Sequence, residues 1–181
     1  MLIGAAASGL FFWMVALGLR RSVGNFSAYA IAGFLWSLVL IALVTLLPAY
    51  GDPGIVPAEG RATACSTDIG GPAPEGFWVF AGGQRLLNTV LFVPSGVLLV
   101  LAAARWRIGW VLVPLGLACL VAYSVAIELT QLELARLDRA CDLTDVVDNV
   151  PGAVLGVAIG LVLMLALRPW RHRHRTYAEP Y

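Results

Sequence analysis

Apolar residues in this chain fall into five runs that are separated by polar, basic or proline-rich segments. Each run is close to the length that an α-helix needs to cross a bilayer, about 20 residues. The first run lacks the basic residues that open a signal peptide, so we interpret it as a retained helix, with a cleaved leader as the alternative. The pattern therefore predicts five transmembrane spans, at residues 2–19, 28–50, 85–104, 109–132 and 145–167.

Composition supports a membrane protein. The 181 residues are 60% apolar and 13% charged, with a mean hydropathy of +0.84, whereas a soluble domain averages about 25% charged residues. We expect an all-α, multi-pass helical bundle that forms one domain over residues 1–181. The net charge of +1 indicates no nucleic-acid partner. Three scattered cysteines do not suit a zinc site, and we expect neither a metal nor a cofactor.

The arginines predict the orientation. Eight of the twelve lie in the segments around residues 20–21, 105–107 and 168–175, which share one side of a five-span bundle. The loop at 51–84 is net acidic. Because cytoplasmic segments carry the excess of basic residues, the N-terminus is predicted outside and the basic tail 168–181 in the cytoplasm. The use of arginine without lysine, with abundant Ala, Gly and Val, suggests a GC-rich bacterial genome. With five predicted spans, we therefore expect the protein in the bacterial plasma membrane.

Two cysteines fall in predicted outer loops. Cys65 lies in the loop at 51–84 and Cys141 in the short charged loop at 133–144, both in an oxidising compartment, where disulfides form. A disulfide between them would tie the long loop to the start of the fifth span. Two free thiols are the alternative, since sequence does not give the distance between the residues.

Polar residues repeat at helical spacing near the outer ends of three spans. Residues at i, i+4 and i+7 share one face of a helix, and each stripe lies on the order of 10 Å deep. Ionisable groups at that depth are costly and turn inward towards partners. We predict that these stripes and the adjoining loop form a ligand-binding pocket of Asn88, Ser124, Glu128, Gln131, Arg139, Asp142, Asp145 and Asn149.

Several of these residues also have simpler interpretations. Inter-helix hydrogen bonds among amides and acids hold many membrane bundles together, and Asn88 in particular fits that role. Gly152, Gly156 and Gly160 recur at every fourth position, which is typical of a helix-packing surface. The carboxylates of Asp142, Asp145 and Asp148 are suitable for a hard cation, but Asp148 lies off the stripe and arginines lie nearby.

These residues resemble the VanZ-like family over about residues 30–165. Asn88, Phe92, Pro94 and Gly96 match an Asn followed by Phe-x-Pro-x-Gly, and Ser124, Glu128 and Gln131 match Ser-x3-Glu-x2-Gln. The pattern Arg-x2-Asp-x2-Asp-x3-Asn-x2-Gly-x3-Gly is matched by Arg139, Asp142, Asp145, Asn149, Gly152 and Gly156. Pro151 departs from the pattern, and we expect it in the first turn of its helix. The resemblance implies a membrane protein, and a contribution to teicoplanin resistance is the expectation that follows from the family.

The stripes suggest binding more than catalysis. We expect the pocket to bind an amphiphile, either a membrane lipid, a lipid-linked cell-wall precursor or a lipoglycopeptide, with Arg139 meeting its phosphate or carboxylate. An intramembrane enzyme acting on a lipid-linked substrate, with Glu128 or Asp145 as general base, is the alternative. A small transporter is a further alternative, which the lack of evident inverted repeats disfavours.

Overall fold

The computed structural model describes residues 1–47, 64–67, 83–133 and 141–167. The described residues form five long helices, each long and apolar enough to cross a membrane, so the predicted all-α, five-span bundle is confirmed. The predicted tail and Arg139 lie outside the described residues, as does most of the loop at 51–84. The helices are α1 (Leu2–Val23), α2 (Asn25–Leu46), α3 (Gly83–Ala103), α4 (Gly109–Glu133) and α5 (Leu143–Leu167).

Two local predictions were wrong. Arg20 and Arg21 lie in the last turn of α1 rather than in a loop, because a single residue, Gly24, makes the turn into α2. Its φ of 80° is in the left-handed region, which glycine adopts without a steric penalty. Pro151 lies in the interior of α5 and not in its first turn, since α5 begins at Leu143.

The packing of α3 against α5 is the most extensive helix–helix interface among the described residues. Small residues allow the two backbones to approach closely, as is common between membrane helices. A Cβ atom at Gly152 would collide with the carbonyl oxygen of Thr89, and one at Gly156 with that of Val93. Gly160 continues the same surface, because a Cβ atom there would lie 2.9 Å from the Val97 carbonyl oxygen.

The other helices pack around this pair. In the core, buried apolar side chains from α2, α3, α4 and α5 meet, whereas α1 packs mainly against α2. Most of the apolar surface of α1 is exposed, as expected of a helix at the edge of a bundle in lipid. The buried cluster consists of Ile41, Phe92, Leu99, Leu120, Ile127 and Ala153.

The charged residues separate to the two ends of the bundle. All acidic side chains in the described part of the chain lie at one end, which we call the acidic end: Glu128, Glu133, Asp142, Asp145 and Asp148. The opposite end, which we call the arginine end, carries Arg20, Arg21, Arg105 and Arg107. Arg105 links the turn after α3 to the end of α1 by donating to the carbonyl oxygens of Val23 and Ser22.

Candidate functional site at the acidic end

The start of α5 is held by a short segment from the 51–84 loop. Cys65 and Cys141, the pair considered from the sequence, are joined by a disulfide with their Cα atoms 4.6 Å apart. The Ser66 amide donates to the Cys141 carbonyl oxygen at 2.9 Å, and the Leu143 amide donates to the Ser66 carbonyl oxygen at 3.0 Å. One covalent and two hydrogen bonds therefore fix the position at which α5 begins.

Asp142 connects this anchor to α4. Its carboxylate accepts a hydrogen bond from the Thr144 amide at 2.9 Å, which is the geometry of a helix N-cap. Its own amide donates to the Glu128 carboxylate at 3.0 Å. Glu128 is only 4% exposed, so this acid lies inside the bundle and joins α4 to the start of α5.

Two buried amides continue the links made by α4. The side-chain amide of Asn149 donates to the Ser124 hydroxyl at 2.8 Å, and that of Gln131 donates to the Thr45 carbonyl oxygen of α2 at 2.9 Å. Asn149 is 6% exposed, and within the described part of the chain its buried Oδ1 atom has no hydrogen-bond partner. Because burying a hydrogen-bond acceptor without a partner costs free energy, this atom indicates a position for a water molecule or for a donor group of a ligand.

A second set of contacts joins α5 to α3. The Asn88 side-chain amide donates to the Asp145 carboxylate at 2.6 Å, and both residues are half-buried. Arg85 and Asp148 form a bidentate ion pair, with nitrogen–oxygen distances of 2.8 and 2.9 Å. Asp148 is fully buried, whereas the Arg85 side chain is 13% exposed. The Thr89 hydroxyl donates to the Asp148 carbonyl oxygen.

The ion pair was not predicted from the sequence. Arg85 was taken as the boundary of its span, and Asp148 was judged to lie off the polar stripe of α5. The reason is that α5 faces two helices at this end, so it carries two polar faces rather than one. Asn149 faces α4, while Asp145 and Asp148 face α3. The signal was present in the spacing, since Arg85 precedes Asn88 by three residues and Asp148 follows Asp145 by three.

The predicted residues thus fall into two layers. Ser124, Glu128, Gln131 and Asn149 are buried and cross-link helices, and Asp148 belongs with them. Asn88, Asp142 and Asp145 are half-buried and reach the surface of the acidic end. Arg139, the eighth predicted residue, lies outside the described part of the chain. In the described ranges, no group of three or more His, Cys, Asp or Glu residues is placed to hold a metal ion.

Comparison with known proteins gives the family. The sequence model of the VanZ/LLP1 family matches residues 10–165, which include all five helices in whole or in large part. Neither the curated proteins nor the solved structures contain a match to this chain. The resemblance drawn from the polar motifs is therefore confirmed, and the chain is a membrane protein that belongs to the VanZ/LLP1 family.

Proposed function

We propose that the acidic end binds the polar headgroup of an amphiphile. The observation that carries this proposal is the half-buried position of Asn88, Asp142 and Asp145 at the acidic end. The buried Asn149 Oδ1 of the same end, which has no hydrogen-bond partner among the described residues, adds to it. Amides would suffice to pack membrane helices. Carboxylates at the edge of a membrane bundle cost more than amides, and their presence is better explained by contact with a polar ligand.

The layers suggest a division of roles. The buried layer holds α4 and α5 in position, and one carboxylate oxygen of Glu128 accepts a hydrogen bond from the Asp142 amide. Asp142 is fixed in turn by the disulfide-bonded segment next to it. The half-buried layer is then presented on a rigid support, which reduces the entropy lost when a ligand binds.

The charge of the end suggests the class of ligand. Carboxylates accept hydrogen bonds and attract cations, so the headgroup should offer amino or hydroxyl groups. A membrane lipid, a lipid-linked cell-wall precursor and a lipoglycopeptide all meet this requirement. Arg139 keeps its proposed role towards a phosphate or carboxylate of the same ligand, since its planar fork suits both. Binding a lipoglycopeptide would give a route to teicoplanin resistance.

The same proposal places the acidic end outside the bacterial plasma membrane. Two independent observations support this orientation. The four arginines of the opposite end agree with the positive-inside rule, and the Cys65–Cys141 disulfide at the acidic end suits an oxidising compartment. The ligand would therefore enter from the outer leaflet.

Binding is favoured over catalysis by the position of Glu128. A general base must reach the substrate proton directly or through one water, and Glu128 is buried with an oxygen already accepting the Asp142 amide. Of the two candidate general bases, Glu128 and Asp145, the half-buried Asp145 is better placed to meet a ligand. Turnover of a lipid-linked substrate by the purified protein would revive the enzyme alternative.

Thermal unfolding in mild detergent tests the proposal. The probes are phosphatidylethanolamine, a lipid-linked cell-wall precursor, and a lipoglycopeptide with and without its acyl chain. A ligand that binds only the folded state raises the unfolding temperature in proportion to the logarithm of its concentration. We expect one amphiphile to do so for the wild type and for Glu133→Gln, an exposed acid at the same end, but not for Asp145→Asn. Equal responses of all three proteins would overturn the proposal.

A further inference from the structure

The arginine end holds a second feature, an apolar groove of about 460 Å³ between α3, α4 and α5. That size lies within the range of small-molecule sites, roughly 300 to 1,000 Å³. The residues that line it are mostly aliphatic, among them Val100, Val113, Leu161 and Met164, with two tryptophans, Trp106 and Trp110, at its edge.

The wall of this groove is fixed by the turn between α3 and α4. The Trp106 amide donates to the Ala103 carbonyl oxygen, and the Gly109 amide donates to the Trp106 carbonyl oxygen, both at 3.0 Å. A Cβ atom at Gly109 would lie 3.0 Å from the Ala103 carbonyl oxygen, so the turn closes tightly. Trp106 and Trp110 are exposed beside it, which is the usual position of tryptophan at a membrane interface.

Charge identifies what the groove would hold. Arg105 and Arg107 flank Trp106 in the sequence, and Arg107 is exposed. The described residues place no acidic side chain at this end, where Arg20 and Arg21 add two further exposed positive charges. A molecule with an apolar tail for the groove and an anionic headgroup for the arginines would match both features.

We infer that this groove is a binding site for an anionic phospholipid of the leaflet at the arginine end. An acyl chain lies between α4 and α5, and the phosphate lies at the level of Trp106 and Arg107. This site is separate from the acidic end and does not depend on the function proposed there.

Native mass spectrometry with phosphatidylglycerol and phosphatidylcholine of identical acyl chains tests the inference. We expect the wild type to retain phosphatidylglycerol about five-fold more strongly. Arg107→Gln should lose about that five-fold preference, since one arginine near a membrane surface contributes about that factor. Arg20→Gln removes the same charge from α1, which does not line the groove, and should change retention less than two-fold.

A second variant tests the apolar half of the site. Trp110 is largely exposed, so Trp110→Ala should fold normally. We expect this variant to reduce the retention of phosphatidylglycerol and of phosphatidylcholine to the same extent. Two results would overturn the inference. One is equal loss of phosphatidylglycerol in Arg107→Gln and Arg20→Gln, which indicates diffuse attraction to the whole end. The other is equal retention of the two lipids by the wild type.

Discussion

The two ends of the bundle are stabilised in different ways. At the acidic end, hydrogen bonds, an ion pair and a disulfide join α2, α3, α4 and α5. At the arginine end, the charges are exposed on the surface, and an apolar groove lies between α3, α4 and α5. Buried acids and their partners are thus concentrated at one end, whereas the other end combines apolar packing with the hydrogen bonds of Arg105 to the end of α1.

This difference shows that the chain accepts the free-energy cost of burying charged side chains at the acidic end. Burying an acid such as Asp148 requires a partner, whereas an arginine on the surface can reach the headgroup region with its long side chain. A bundle that needed only to stay folded would not require so many acids at one end. The asymmetry therefore supports a ligand at the acidic end, where some groups hold the fold and others face the ligand.

The largest effect is expected at the α3–α5 interface. Gly152→Ala should destabilise the bundle by about 3 kcal/mol, because the added methyl group would collide with a backbone atom that cannot move aside, the Thr89 carbonyl oxygen. Gly18→Ala is the matched control, since a Cβ atom there meets nothing within 4 Å. Unfolding in detergent measures both, and equal stability of the two variants would contradict the close packing.

The ion pair should have the next largest effect on stability. Asp148→Asn leaves Arg85 facing a neutral partner in a mostly buried position, and we expect a loss of about 2 kcal/mol. Adding Arg85→Gln should recover part of that loss in a double-mutant cycle. Asp145→Asn makes the same chemical change at a half-buried position and should cost under about 1 kcal/mol. A larger cost for Asp145→Asn than for Asp148→Asn would reverse the assignment of the two layers.

Much of the fold could be predicted from the sequence because run length and charge bias act over whole helices. The five spans could be predicted from the length of each apolar run alone. Arg20 and Arg21 were placed outside the first helix because the sequence does not show that a single glycine makes the turn between α1 and α2. The stripes on α4 and α5 located most of the site. The Arg85–Asp148 pair was missed because a stripe does not tell how many neighbours a helix has, and α5 has polar contacts to two.

A smaller and more local effect is expected from the disulfide. Replacing Cys65 and Cys141 by serine should lower the free energy of unfolding by about 1 kcal/mol, at the low end of the usual range. The loss is small because α3 and α4, which lie between the two cysteines in the sequence, stay in the membrane and restrict the chain without the bond. Faster hydrogen exchange at the Ser66 and Leu143 amides should accompany it. Cys119→Ser changes an exposed thiol outside the acidic end and should alter neither the stability nor this exchange. Unchanged exchange in the double variant would show that the segment is held without the bond.

Native mass spectrometry of the gently extracted protein is the sharpest test of ligand binding at the acidic end. The wild type is compared with Asp145→Asn and with Glu133→Gln, which removes a charge at the same end outside the hydrogen-bonded layers. We expect the wild type and Glu133→Gln to retain one amphiphile of defined mass, and folded Asp145→Asn to retain at least ten-fold less of it. If Asp145→Asn retains the same molecule to the same extent, the acidic end is not the binding site, and its polar groups serve only to hold the helices together.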